Sequence, residues 1–168
     1  DFLKCNSLLK KKIDNKNKIL ILGDYDVDGC ISTSLMVNFI RKFKVPVSYY
    51  IPNRVRDGYG ANLNLIKRLV AKEKPDLLIM LDCGSNSSSS IKYLKNNKIE
   101  TLIIDHHNVQ DASNLPTNLI NPKKKNSYNQ YDYLCSAFLT YLFLDSYTKL
   151  YKLNISIKDN LIYVLLAT

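Results

Sequence analysis

The chain has 168 residues, of which 46% are hydrophobic, enough for one domain with its own core. Its apolar runs are short and broken by Lys, Asn and Asp, which excludes a membrane-spanning helix, and the stretch from Asp1 does not read as a secretory signal. The formal net charge of +9 suits a polyanion, but lysine outnumbers arginine and travels with Asn and Ile, as AT-biased coding dictates, so charge alone does not identify a nucleic-acid partner.

In chain order, Lys18–Gly23 reads as a strand and Ile31–Phe43 as a helix; Val45–Ile51 is a second strand and Asn62–Glu73 a helix capped by Asn62. Leu77–Leu81 makes a third strand, Ser88–Asn96 a helix and Thr101–Ile104 a fourth strand. Asn118–Ile120 is a short fifth strand, Leu134–Tyr151 a long apolar helix, and Lys158–Ala167 begins another. Strands rich in Ile, Leu and Val that alternate with helices predict an α/β fold. The sheet is doubly wound and mainly parallel, of about five strands, with helices on both faces. Lys10–Lys12 and Lys123–Lys125 are basic clusters, the second in a loop after Asn121-Pro122 where it could meet a phosphate backbone. The cysteines Cys5, Cys30, Cys83 and Cys135 are far apart with no C-x-x-C pair. They indicate neither a zinc knuckle nor a disulfide framework, and reduced thiols in the cytoplasm are expected.

In a doubly wound sheet, functional groups gather beyond the carboxyl ends of the strands. The first strand ends in Gly23-Asp24-Tyr25-Asp26-Val27-Asp28-Gly29. Alternating carboxylates before a glycine resemble a calcium-binding EF-hand loop, but the twelfth position is Leu35 rather than Glu and the loop leaves a strand, not a helix. An acidic turn that holds a catalytic metal fits better, with Gly29 allowing the sharp start of the helix. Capping would explain one Asp, not three. The third strand ends in Asp82-Cys83-Gly84, and the fourth in Asp105-His106-His107-Asn108, which holds the only two histidines. Strands one, three and four could thus present Asp26, Asp28, Asp82, His106 and His107 to one cleft. Carboxylates with imidazole and few thiolates suit Mn²⁺ or Mg²⁺. A carboxylate shared by two ions roughly 3.5–4 Å apart is a recurring device of phosphodiester hydrolysis.

The series GDYDVDG, LDCGSNS and IIDHHN, in this order and spacing, resembles motifs I, II and III of the DHH phosphoesterase superfamily, and within it the RecJ-type single-strand-specific 5′→3′ DNA exonucleases. The likeness extends to Tyr50–Arg54, Gly58-Tyr59-Gly60, Leu119–Lys123 and Tyr133–Ala137, and so covers nearly the whole chain. It implies that Asp26 and Asp28 bind metal, with Asp24 a ligand or its close partner, that Asp82 bridges two ions, that His106 is a ligand and that His107 contacts the scissile phosphate. Asp105 would orient an imidazole. Asn108 joins the substrate side, Arg54 could reach a phosphate with its planar fork, and Tyr59 could stack on a base. The serine run Ser85–Ser90 reads mainly as helix capping, with a terminal phosphate as the alternative.

The resemblance implies a metal-dependent hydrolase that degrades single-stranded DNA in repair and recombination, with two Mn²⁺ or Mg²⁺ ions as cofactors. Single-strand-binding protein and a helicase are possible partners, and no membrane is involved. The alternatives are a DHH phosphodiesterase of oligoribonucleotides or cyclic dinucleotides, whose motif I brings a histidine ahead of the paired Asp where Leu22, Gly23 and Asp24 stand here, or a non-catalytic scaffold. Residues 1–168 are expected to be part of a catalytic domain cut before the Asp of a fourth motif, without the DHHA1-type and OB domains, and therefore weak or inactive alone.

Overall fold

The computed structural model describes residues 1–110, 116–124, 131–158, 164–165 and 167. Its elements are α1 (Phe2–Asp14), β1 (Ile19–Leu22), α2 (Val27–Arg41), β2 (Val47–Tyr50), α3 (Arg54–Asp57), α4 (Leu63–Glu73), β3 (Leu77–Leu81), α5 (Ser88–Asn96), β4 (Glu100–Ile104), β5 (Leu119–Ile120) and α6 (Ser136–Leu150). The five strands form one parallel sheet in the order β2-β1-β3-β4-β5. The expected α/β fold class is borne out.

Strand side chains alternate between two cores, as the pleat requires. Ile19, Ile21, Leu77, Ile79, Leu81, Leu102 and Ile104 face α1, α2 and α6, where Leu9, Met36, Phe39, Ile40, Phe143 and Tyr147 close the larger core. Leu20, Leu22, Leu78, Met80 and Ile103 face the other way, onto Leu65, Ile66 and Leu69 of α4 and Leu94 of α5. β1, β3 and β4 are therefore apolar on both faces, and no residue of β1 or β3 is exposed. Chain order reverses between β1 and β3. The loops that leave these neighbours run to opposite faces and open a crevice at their carboxyl ends, where such sheets bind ligands.

Three elements differ from the sequence expectation. Helix α1 is absent from the sequence expectation, in which Lys10–Lys12 stands only as a basic cluster. Instead Lys12 is buried, with its ammonium 2.7 Å from Glu100 and bonded to the Asp76 carbonyl, while Lys10 pairs with Asp14 one turn on. Helix α2 starts at Val27, four residues early. Gly29 lies inside it because a Cβ there would stand 2.6 Å from the Asp24 backbone, so close approach rather than the start of the helix requires the glycine. The short α3 falls where the sequence pattern gives no element. Of the helix expected from Lys158 to Ala167, residues 159–163 and 166 lie outside the described residues, as does Lys125 of the second basic cluster.

Each helix that returns to the amino edge of the sheet leaves through a left-handed residue, and in each case it is a lysine: Lys16, Lys44, Lys74 and Lys98 precede β1, β2, β3 and β4. A side chain in that region costs about 1–2 kcal/mol, of which glycine would give back part as backbone entropy. Lys74→Gly, at φ 47 and ψ 58 after α4, is expected to stabilise the fold by about 0.5–1 kcal/mol in urea unfolding; a loss of stability would show that the Lys74 side chain contributes more than its backbone strain costs.

Candidate metal centre

The turn after β1 carries three carboxylates with different surroundings. Asp24 is 4% exposed and accepts the N–H of Tyr25 at 2.7 Å. Asp26 is exposed and caps α2, accepting the Gly29 N–H at 2.9 Å. Asp28, in the first turn of α2, accepts the N–H groups of Ser136 and Ala137 at 2.9 and 2.6 Å.

At the end of β3, Asp82 takes a left-handed conformation (φ 60), and its N–H donates to the Ile104 carbonyl at 2.9 Å, carrying the β3–β4 ladder one residue further. Asp tolerates this region better than most residues, and such strain is held where the surroundings over-determine it. The turn folds the Asp82 side chain into the crevice, where it is 1% exposed. Oδ1 accepts the Ser136 hydroxyl at 2.9 Å; Oδ2, also buried, accepts no hydrogen bond among the described residues.

At the end of β4, Asp105 is also 1% exposed but fully engaged. Its Oδ1 accepts the backbone N–H groups of His106 (2.8 Å) and His107 (3.2 Å) and meets His107 Nδ1 at 2.8 Å, while Oδ2 accepts the Ser85 N–H at 3.0 Å. This network assigns a proton to His107 Nδ1, the arrangement in which a carboxylate fixes the orientation of an imidazole. Asn121, after β5, donates to the Ser85 hydroxyl and to the His107 carbonyl, both at 2.9 Å, and so ties the β3 and β4 turns together. His106 Nε2 lies 3.4 Å from Asp82 Oδ1 and 3.5 Å from Asp28 Oδ2.

Ligand atoms fall into two groups, each within 4.8 Å: Asp24, Asp26 and Asp82, and Asp82, His106 and His107. Asp82 belongs to both. A buried carboxylate with an unpartnered oxygen is costly without a cation, and carboxylate oxygens with imidazole nitrogens are the donor set of Mn²⁺ and Mg²⁺. The residues present fit a divalent pair. The same burial raises the Asp82 carboxyl to about 6, against the smaller pull of the His106 hydrogen bond, and burial likewise pushes Asp24 up. Asp105 goes the other way: burial would raise it, but hydrogen bonds from His107 and Ser85 hold it at about 2. The Asp105 hydrogen bond in turn lifts His107 to about 9, and Asp82 lifts His106.

A cleft of about 300 Å³ opens beside these groups, lined by Asp82, Asp105, His107, Tyr59, Asn86, Ser87 at the cap of α5 and Ser89 within it, among others. Tyr59, 63% exposed, stands in its wall. Asn108 is exposed outside it, its carbonyl accepting from Asn86 at 2.9 Å. Arg54 reaches the acidic turn rather than the cleft: its Nη1 donates to the Tyr25 hydroxyl at 2.6 Å, with the guanidinium 5.3 Å from that ring's centre. The loop that carries Arg54 and Tyr59 is fastened by Asp57, which accepts from Tyr50 Oη (2.7 Å), Asn53 N–H (2.9 Å), Arg68 (2.5 Å) and Arg56 (3.2 Å). Hydrogen bonds from Arg56 and its neighbours hold the Asp57 carboxyl well below the usual range. Sequence reasoning gave no individual role to Ser136, Ser85, Asn121 or Asp57. A serine at the start of an apolar helix was the one signal available for Ser136.

Residues 18–168 match the family model described as DHH family, N-terminal domain. A single-stranded-DNA-specific exonuclease RecJ of Bacillus subtilis is 37% identical over 100 residues, 59% of this chain and 12% of that protein; the RecJ of Haemophilus influenzae is 35% identical over 102 residues, 60% and 18% respectively. The chain thus spans less than a fifth of the length of these curated relatives. Among solved structures, an exonuclease RecJ bound to manganese superposes with a TM-score of 0.81 at 22% identity, covering 94% of this chain and 39% of the other, which shows the shared fold.

In the metal-free protein, Asp82 and His107 both bind their proton more tightly folded than unfolded. Their contribution to stability is complete below the unfolded values, about 3.9 and 6.5, and is lost as pH rises through about 6 and about 9. The Asp105 contribution has the opposite sign and is lost as pH falls toward 2. Asp105→Asn is expected to move the His107 titration, followed by proton NMR, from about 9 toward 6.5. An unchanged midpoint would contradict the pairing.

Proposed function

The chain belongs to the DHH family, and we propose that it hydrolyses phosphodiester bonds of single-stranded DNA as a metal-dependent exonuclease. The observation that carries the reading is the sharing of Asp82 between an all-carboxylate group and a carboxylate–imidazole group. It is supported by the DHH match and by relatives named as single-stranded-DNA-specific exonucleases. Asp24, Asp26, Asp28, Asp82 and His106 would hold two Mn²⁺ or Mg²⁺ ions. Bound there, the ions supply Lewis-acid chemistry: they acidify water and neutralise charge on phosphate oxygens.

The chain's own residues divide the remaining work. Asp105 keeps His107 Nδ1 protonated and turned inward. A protonated His107 at the cleft wall would meet a phosphate oxygen with its second N–H, a charge-assisted contact. Burial of Asp82 and Asp105 keeps the centre in a low-dielectric pocket, where opposite charges attract more strongly than in water. Tyr59, exposed on the Asp57-braced loop, is placed to stack on a base and needs no particular sequence. The 5′→3′ polarity, a cytoplasmic location and cooperation with a single-strand-binding protein and a helicase come from the family resemblance. Among the described residues, no helix is long and apolar enough to cross a membrane.

The test is a side-by-side assay of the full-length protein, since residues 1–168 alone are expected to be weak or inactive, with Mn²⁺ on 5′-labelled single-stranded DNA, duplex DNA and a cyclic dinucleotide. Mononucleotide release from single-stranded DNA alone is expected, and Asp82→Ala should reduce it at least about a thousandfold while the circular dichroism spectrum stays unchanged. Faster turnover of the cyclic dinucleotide, or activity that survives Asp82→Ala, would overturn the reading.

A further inference from the structure

We infer that the amino edge of the sheet, opposite the metal centre, is a second contact for single-stranded DNA, made by a row of lysines that meets its phosphate backbone. In a parallel sheet every strand starts at the same edge, so the turns before β1 to β4 lie side by side. Lys16, Lys44 and Lys74 each stand three residues before the mutually paired Ile19, Val47 and Leu77, and Lys98 stands two before Glu100, the partner of Leu77. Across the sheet the order is Lys44, Lys16, Lys74, Lys98, and all four are exposed. Adjacent strands lie about 4.8 Å apart, so the row is about 14 Å long. That is the rise of about four nucleotides of one strand.

Coding bias explains many lysines but not these places. Each of the four has a left-handed backbone, with φ between 47 and 59, which asparagine tolerates better than lysine. The same bias supplies asparagine, and Asn15, Asn17, Asn96 and Asn97 stand in two of these turns; lysine still takes the strained position. Attraction to the carboxyl ends of helices is the other ordinary role for such lysines. Lys16 plays it, donating to the Phe43 carbonyl at 2.9 Å beyond α2, but Lys44, Lys74 and Lys98 make no side-chain hydrogen bond or ion pair among the described residues. The acids of this edge are already engaged: Asp14 with Lys10, Glu73 with Lys18 and Glu100 with Lys12, while Asp76 accepts the Lys18 N–H. The row therefore stands uncompensated at one end of the domain, and the carboxylates of the metal centre gather at the other. Ammonium groups on flexible stems hold phosphates as point charges and read no base, which suits a strand degraded whatever its sequence. The choice of single-stranded DNA as the polyanion rests on the proposed function.

The experiment follows, by fluorescence anisotropy over a salt series, the binding of a labelled oligothymidylate of roughly thirty nucleotides to the full-length protein. EDTA is present, so the strand is held but not cut. The triple variant Lys44→Asn, Lys74→Asn, Lys98→Asn is compared with Lys4→Gln, Lys67→Gln, Lys92→Gln, which removes the same charge from exposed positions of α1, α4 and α5. Three lost phosphate contacts, at about 0.7 each, make the log–log salt slope shallower by about two and weaken binding about tenfold at low salt. The control variant should bind within about twofold of wild type. Asparagine at the left-handed positions should leave Tm equal or higher; if that variant does not fold, Lys→Gly at the same three positions decides by the same criteria. An unchanged slope in the row variant overturns the inference. So does an equal loss in the control, because net charge alone would then account for the binding. No turnover is read, so the row and the exonuclease reading can fail separately: wild-type hydrolysis with an unchanged slope sinks only the row. A wild-type protein that binds no single strand would overturn both.

Discussion

A single carboxylate, Asp82, is the constraint on which the rest of this structure turns. It sits at the end of the central β3 strand, in a left-handed turn, with one oxygen held by Ser136 and the other buried without a partner. Burying an acid in that way raises its proton affinity and disfavours its charge. A nearby dication inverts that preference, because the ion becomes the largest charge in the site. Two neighbouring groups of ligand atoms both include Asp82, so one buried charge can serve two cations, and the cost of its burial falls once they bind.

The fold supplies this carboxylate at the one place where it can be shared. Because the strand order reverses between β1 and β3, the turns after them diverge and leave a crevice, with the β4 turn on its far side. Asp24 and Asp26 arrive from β1, Asp82 from β3, and the histidines from β4. The helices then fix the details: α2 is capped by Asp26, and α6 is fastened by Asp28 and presents Ser136. The β3 and β4 turns are joined through Ser85, Asn121 and Asp105. The two adjacent histidines acquire different surroundings as a result. His107 is locked to Asp105 at 2.8 Å, while His106 looks across the crevice to Asp82 and Asp28.

Much of this was legible in the residues themselves. Apolar runs such as Leu77–Leu81 and Leu102–Ile104 could only be strands buried on both faces, and the acids and imidazoles at their ends marked the crevice. The spacing of Asp24, Asp26 and Asp28 showed an acidic turn, but not that Asp28 would also accept the first N–H groups of a helix far along the chain. That contact depends on α6, and so do the hydroxyl of Ser136 and its bond to Asp82. Contacts of this kind leave no local pattern. Helix α1 escaped notice for the opposite reason: its lysines looked like a solvated surface, yet Lys12 lies buried over Glu100 and the Asp76 carbonyl. Long side chains bury their stems and keep only the charged end paired, which composition does not reveal.

The most direct test of the shared carboxylate is anomalous diffraction from crystals of the protein soaked in MnCl₂. The structure calls for two manganese peaks on either side of Asp82, one against Asp24 and Asp26 and the other against His106, with an Asp82 oxygen about 2.0–2.3 Å from each, the usual span of metal–oxygen bonds. A single peak, or two peaks of which only one touches Asp82, would contradict the account.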